Sequence, residues 1–193
     1  ADEGARVALI GHGTLGGTCV NVGCVPSKTL IRAAHAIHAA NHASRFAGVS
    51  ASARLDDWAA LVAQKDALVA DMRQKKYADI LAAYPSVTSI DGPARLGPGR
   101  IAVNGAVLKA PKTIIATGAR AHLPDIPGLA ETPTLTSTGA LALATLPGSL
   151  IVMGGGYIGV ELAQMFARLG VAVTIVCRSR LLPNAEPELA AAL

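Results

Sequence analysis

The sequence predicts an α/β chain of two Rossmann-like dinucleotide-binding units, both incomplete within its 193 residues. Three observations predict it. Between Leu150 and Val176 a strand, a G-x-G-x-x-G turn, a helix and a second strand follow in the order such a unit requires. A short apolar run, Arg6 to Ile10, opens the chain with no glycine fingerprint before it, so the chain is expected to begin inside a domain. From Val87 to Ile115 helical periodicity gives way to short alternating runs separated by turn residues.

Composition narrows the partners. Hydrophobic residues make up 51% and aromatics only 3%, which predicts an aliphatic core with closely packed helices. The net charge of +4 is scattered and forms no lysine or arginine run, which argues against a nucleic-acid partner. No apolar run has the length of a membrane span and the chain opens on Ala1-Asp2-Glu3-Gly4, so no membrane partner and a cytoplasmic address are expected. In that compartment two neighbouring thiols are catalytic or redox-sensing rather than structural. Cys177 has no neighbour in sequence to pair with.

Taken in order, Arg6–Ile10 reads as a short buried strand. Gly16-Gly17-Thr18-Cys19-Val20-Asn21-Val22-Gly23-Cys24-Val25-Pro26-Ser27-Lys28 reads as a glycine-rich loop running into a helix. Gly16 and Gly17 allow close backbone approach to a flat ligand, and Pro26 suits a first helical turn. A helix N-terminus favours thiolate, so this pair suits cycling between disulfide and dithiol. The alternatives are a zinc half-site or two buried small hydrophobes; zinc wants CxxC and further ligands, which are absent nearby. The helix continues through Ala40 with Leu30, Ala34 and Ile37 on one stripe. His35, His38 and His42 share a face, and partly exposed helix histidines are the simpler reading than a metal site.

Asp56 or Asp57 caps a helix from Trp58 to about Ala83, ended by Pro85. Val87–Ile90, Ala94–Leu96, Arg100–Val103 and Ala106–Lys109 read as strands of a meander over about 87–119, with Asn104-Gly105 a strong hairpin signal. Thr113–Ala119 reads as a further buried strand ending in a glycine turn. Pro124, Pro127 and Gly128 mark a linker, and Thr136-Ser137-Thr138 caps a short helix to Ala144. Pro147-Gly148 closes a first domain, 1–147, and 148–193 begins a second. In the second, Gly154, Gly156 and Gly159 form the turn whose following helix offers its N-terminal amides to a pyrophosphate. The next strand ends in Cys177-Arg178, with Arg180 close by, where an NAD site would carry a carboxylate. This favours NADPH; the alternative is that both arginines are ordinary surface charges.

The segment GGTCVNVGCVPSK resembles the active-site segment of the flavin-dependent pyridine nucleotide–disulfide oxidoreductases, and the resemblance runs over essentially the whole chain. It implies two dinucleotide-binding domains, one for FAD and one for NAD(P)H, and a homodimer in the full-length protein. It implies that Cys24 is the flavin-side sulfur and Cys19 the exchanging one. Lys28 matches the lysine beside the flavin, and Glu161 the carboxylate that pairs with it. Gly13, Gly16, Gly17, Thr18 and Ala94 match FAD contacts, with Thr117 and Gly118 along the dinucleotide. Tyr157 resembles an aromatic that covers the nicotinamide pocket, a core-facing tyrosine being the alternative. One departure is Gly11-His12, which stands where a carboxylate would hold the adenosine ribose.

Within the family, CVPSK-x-x-IRAAH, Lys76-Tyr77, Gly92-Pro93-Ala94-Arg95-Leu96 and Glu161-Leu162-Ala163-Gln164 look most like the mercuric reductase branch. That branch implies transient capture of Hg(II) by Cys19 and Cys24 and its reduction to Hg(0), soft Hg(II) being well matched to thiolates. The rival within the family is dihydrolipoamide dehydrogenase or a related disulfide reductase. A reading of another class is a nucleotide-binding segment without turnover. The family's later parts, including the dimerisation domain, lie outside these residues, so the 193-residue chain alone is expected to be inactive.

Overall fold

A computed structural model describes residues 3–193. The chain divides into two compact units, one comprising the described part of Ala1–Asn21 with Val69–Arg120, the other Val22–Leu68 with Ala121–Leu193.

In the first unit β1 (Val7–Gly11) pairs in parallel with β2 (Val87–Asp91), in register from Val7 opposite Val87 to Gly11 opposite Asp91. A backbone bond from Gly92 N to the Gly11 carbonyl (2.8 Å) closes the pair at its end. The first strand therefore forms, one residue later than expected and far less buried: Val7 and Leu9 are exposed and only Ile10 is half-buried. Next in space along the chain come β3 (Arg95–Gly97), β4 (Arg100–Val103) and β5 (Ala106–Leu108), an antiparallel meander. Asn104 and Gly105 both take positive φ (49° and 78°), the pairing of angles that a two-residue hairpin turn demands. Asn104 Nδ2 also donates to the Asp91 carbonyl (2.7 Å), tying this turn to the end of β2. The strand at Val87 thus belongs to the parallel pair and not to the meander: its register partners are Val7–Gly11, and the antiparallel sheet is made of β3, β4 and β5.

The expected strand at Thr113–Ala119 does not form. Residues 110–126 carry no helix or strand, and Ile114 (92%) and Ile115 (67%) stand exposed. An apolar run becomes a strand only where a neighbouring edge accepts its amides and carbonyls. Among the described residues, neither two-strand sheet extends to it.

A short helix, α1 (Gly17–Asn21), precedes α2 (Cys24–Asn41), so the glycine-rich segment enters two helices in succession rather than one. The helix expected from Trp58 to Ala83 forms as α3 (Trp58–Arg73), a five-residue π-turn (Gln74–Ala78) and α4 (Asp79–Ala82).

The second unit holds the aliphatic core. Pro26, Leu30 and Ala34 recur every fourth residue on α2 and are buried. Leu30 and Ala34 join Leu162, Met165 and Phe166 of α6 (Tyr157–Arg168), with Trp58 and with Ala140 and Leu141 of α5 (Ser137–Leu141), in one core cluster. Trp58 Nε1 donates to the Leu143 carbonyl (2.8 Å), giving the indole its polar partner. Lys65 is buried: its stem lies in the core and Nζ donates to the Leu141 carbonyl (2.9 Å) while facing Asp66 Oδ1 at 2.8 Å. β6 (Ser149–Met153) and β7 (Ala172–Val176) pair in parallel beside α6, in register from Ser149 opposite Ala172. Every second residue of each strand is half-buried, while Ile151, Met153 and Val176 remain exposed on the other face. A final short helix, α7, spans Pro187–Ala191. Among the described residues no helix is long and apolar enough to cross a membrane.

Two predictions follow from this unit. Replacing Lys65 by Met keeps the stem but leaves the Leu141 carbonyl without its donor, so unfolding in urea should show a loss of about 1–3 kcal/mol. An unchanged midpoint would contradict the assigned role. His38 is held below the ordinary imidazole value of 6.5 by desolvation, then by His42, Arg168, His35 and Arg45. The unfolded chain therefore takes up the proton first as pH falls, and stability should drop on acidification below about 6.5. His38→Asn should show a shallower fall in Tm between pH 7.5 and 5.5 than the parent; an identical slope would contradict it.

Candidate functional site

The predicted residues fall into both units. In the first, Gly16 (φ +106°) and Gly17 (φ +67°) adopt angles that side-chain-bearing residues resist, and they turn the chain from Leu15 into α1. A Cβ at Gly16 would lie 2.9 Å from Val20 Cγ1 and 3.2 Å from the Tyr77 ring. Thr18 and Cys19 are exposed on α1, while Val20 is buried beneath them. Asn21 closes this turn with its side chain: Nδ2 donates to the carbonyls of Leu15 (2.9 Å) and Gly17 (2.8 Å). Its Oδ1 accepts from Arg73 Nε at 2.7 Å. Neither Asn21 nor Arg73 was singled out by sequence reasoning. Gly13 (φ +98°), Ala94, Thr117 and Gly118 (φ +73°) lie exposed on loops of the same unit, the last two in the irregular segment that replaces the expected strand.

In the second unit Cys24 is exposed and opens α2. Pro26 fills the third position, buried, and Ser27 Oγ donates to the Cys24 carbonyl at 3.2 Å. One turn on, Lys28 Nζ meets Glu161 Oε2 of α6 at 2.5 Å. The contact matches the resemblance, which implied a pair of these two residues. Their side chains are 55% and 44% exposed, so the pair is worth about 0–1 kcal/mol of stability. Its significance is geometric: it brings a side chain of the helix that begins at a cysteine to a side chain of the helix that begins at the glycine turn.

That turn has the form of a dinucleotide-binding loop. Gly154 (φ +111°) donates its amide to the Val176 carbonyl (2.8 Å), and Gly156 caps α6. A Cβ on Gly159 would collide with the Gly154 carbonyl oxygen, so only glycine lets helix and strand approach this closely. A turn of this form leaves the first amides of its helix as donors for an anion. Tyr157, the first residue of α6, is 60% exposed, which removes the core-facing alternative. Cys177 and Arg178 follow β7 directly, with Arg178 exposed. Arg180 is committed locally: Nη2 donates to the carbonyls of Pro183 (3.1 Å) and Ala185 (2.7 Å), bracing the loop whose Leu182 amide donates to Gly155 (2.6 Å).

The three helix histidines do not converge on a metal. His38 and His42 stack with ring centroids 3.9 Å apart, and His42 Nδ1 is turned to the His38 carbonyl at 2.8 Å. Among the described residues no group of three His, Cys, Asp or Glu side chains could hold one.

Comparison with known proteins identifies the class. The family model described as pyridine nucleotide-disulphide oxidoreductase matches residues 1–193, and the chain belongs to that family. Among curated relatives it is 45% identical over 201 residues to a mercuric reductase of Streptomyces lividans, covering 100% of this chain and 42% of that protein. It is 47% identical to a mercuric reductase of Bacillus cereus, covering 98% of this chain and 30% of the relative. Among solved structures it resembles the HOCl-induced flavoprotein disulfide reductase RclA from Escherichia coli, with a TM-score of 0.82 and 37% identity over 98% of this chain and 41% of that one. The chain thus spans less than half the length of these relatives.

The glycine turn yields a direct test. Gly159→Ala forces helix and strand apart, and such overpacking should cost about 1–3 kcal/mol in a urea titration. A stability equal to the parent would mean that α6 and β6 are not packed as described.

Proposed function

We propose that the whole protein is an NADPH- and FAD-dependent oxidoreductase that reduces Hg(II) to Hg(0) through Cys19 and Cys24. On this reading residues 1–147 belong to an FAD-binding domain and 148–193 begin the NAD(P)H-binding domain. The observation that carries it is the Lys28–Glu161 contact, because it ties the helix opened by Cys24 to the helix opened by the glycine turn. The mercuric reductase relatives support the substrate.

The residues fit both nucleotides. Gly154 and Gly156 carry no side chain that would stand in the way of a pyrophosphate, and Arg178, exposed directly after β7, would pair with a 2′-phosphate. Tyr157, exposed at the helix start, would cover the nicotinamide. Gly13, Gly16, Gly17, Thr18, Ala94, Thr117 and Gly118 would line FAD, the positive-φ glycines letting backbone come close. Bound FAD supplies two-electron exchange between the nicotinamide hydride and sulfur. Lys28 would hold positive charge where negative charge develops, oriented by Glu161. Cys24 would be the flavin-side sulfur. Cys19, exposed on its short helix, would take Hg(II) from an incoming thiolate complex, and the two thiolates would hold the ion together. Two electrons from one NADPH balance Hg(II) to Hg(0), with one proton released. A homodimer and a cytoplasmic address complete the proposal.

The second reading is a disulfide reductase of the same family, dihydrolipoamide dehydrogenase included, favoured by the likeness to the E. coli flavoprotein disulfide reductase. The reading of another class is a nucleotide-binding segment that turns nothing over by itself.

In the full-length protein, Hg(II)-dependent NADPH oxidation should fall by at least about a hundredfold in Cys19→Ser and in Cys24→Ser, the scale expected when an interaction made only in the reacting complex is removed. Undiminished activity in either variant would refute the relay. Turnover of a dithiol–disulfide pair without Hg(II) turnover would select the second reading. Turnover by the isolated 193 residues would exclude the third.

A further inference from the structure

Helix α1 has five residues, far too few to hold together on its own hydrogen bonds. Its capping comes from Asn21, whose amide group is used completely on one side: both N–H donors go to carbonyls of the turn, Leu15 and Gly17. The remaining oxygen is engaged from a distance of 52 residues by Arg73 Nε, in a half-buried, charge-assisted bond. Arg73 is the last residue before the π-turn Gln74–Ala78, and Tyr77 within that turn packs where a side chain on Gly16 would go. An irregular π-turn costs regular helix bonding, and such turns concentrate at functional sites.

From this arrangement we propose that Asn21 and Arg73 are positioning residues for the turn that presents Cys19. The guanidinium fixes the rotamer of Asn21, Asn21 fixes the carbonyls of Leu15 and Gly17, and these hold the turn on which Cys19 is carried. Neither residue touches a reacting atom; each acts through the next. The proposal rests on the reading of Cys19 as the exchanging thiol.

The test uses the full-length flavin-loaded protein with Arg73→Gln, Asn21→Ala and the double variant. Turnover per bound flavin should fall about tenfold in each single variant, the loss expected for one charge-assisted bond, while KM for NADPH stays within about twofold. The double variant should be no slower than the slower single one, because both break one chain of contacts. Amide hydrogen exchange of residues 15–21 should accelerate about tenfold, with peptides outside the first unit unchanged. Should Asn21→Ala fail to retain flavin, Arg73→Gln carries the test. Parental turnover together with parental exchange overturns the proposal, and so do losses that multiply in the double variant. If the full-length protein shows no cysteine-dependent turnover, the proposed function fails, yet the exchange measurement still decides the brace: protection equal to the parent disproves it.

Discussion

The packing of α2 on α6 is the constraint on which the second unit depends. Leu30 and Ala34 are fully buried against Met165 and Phe166, and Trp58 leans on the Phe166 ring from α3 at 6.3 Å between centroids. Burying large apolar side chains of this kind contributes roughly 1.5–3 kcal/mol each, well beyond the exposed ion pair at the same interface. The helices are therefore aligned by aliphatic burial, and Lys28 and Glu161 meet because both ride on helices already in place. Cys24 occupies the first position of one and Gly156 the cap of the other, so the same apolar contact sets where the helix headed by a sulfur lies relative to the helix headed by the glycine turn.

Much of this was legible in the sequence where a residue's role is local. The glycine spacing and strand periods between Ser149 and Val176 announce β6, α6 and β7, since close packing at Gly159 can be met only by glycine. Asn104-Gly105 announces its hairpin through the φ angles it tolerates. What escaped depends on distant partners. Thr113–Ala119 looks like a strand by composition, but composition does not supply an edge to pair with. Val87–Asp91 joined the wrong neighbour because alternation does not distinguish a parallel from an antiparallel mate. Asn21 and Arg73 were missed for the same reason: a bond across 52 residues leaves no local spacing to read. The one available signal was an amide residue between two cysteines in a segment otherwise made of small and apolar residues.

The two arginines after β7 show how structure divides what sequence groups. Arg178 and Arg180 look equivalent as a pair of cations after β7. Yet Arg180 spends its guanidinium on the Pro183 and Ala185 carbonyls, holding the loop that folds back on Gly155. On the proposed reading the phosphate-discriminating charge then falls chiefly to Arg178, and Arg180 keeps the glycine turn in shape. A similar division separates the two sulfurs. Cys24 is fixed at the head of a long, well-packed helix, whereas Cys19 rides on one short turn held by side chains. On the proposed reading, the sulfur at the head of the long helix would exchange electrons with the flavin, and the one on the shorter, braced element would meet the incoming ligand.

The central claim is that the head of α2 delivers Cys24 to the flavin. Anaerobic two-electron reduction of the full-length protein, followed by absorbance at long wavelength, tests it most directly. A thiolate-to-flavin band is expected in the parent and in Cys19→Ser, and it should vanish in Cys24→Ser. A band that survives in Cys24→Ser, or that never forms in the parent, would contradict the assignment.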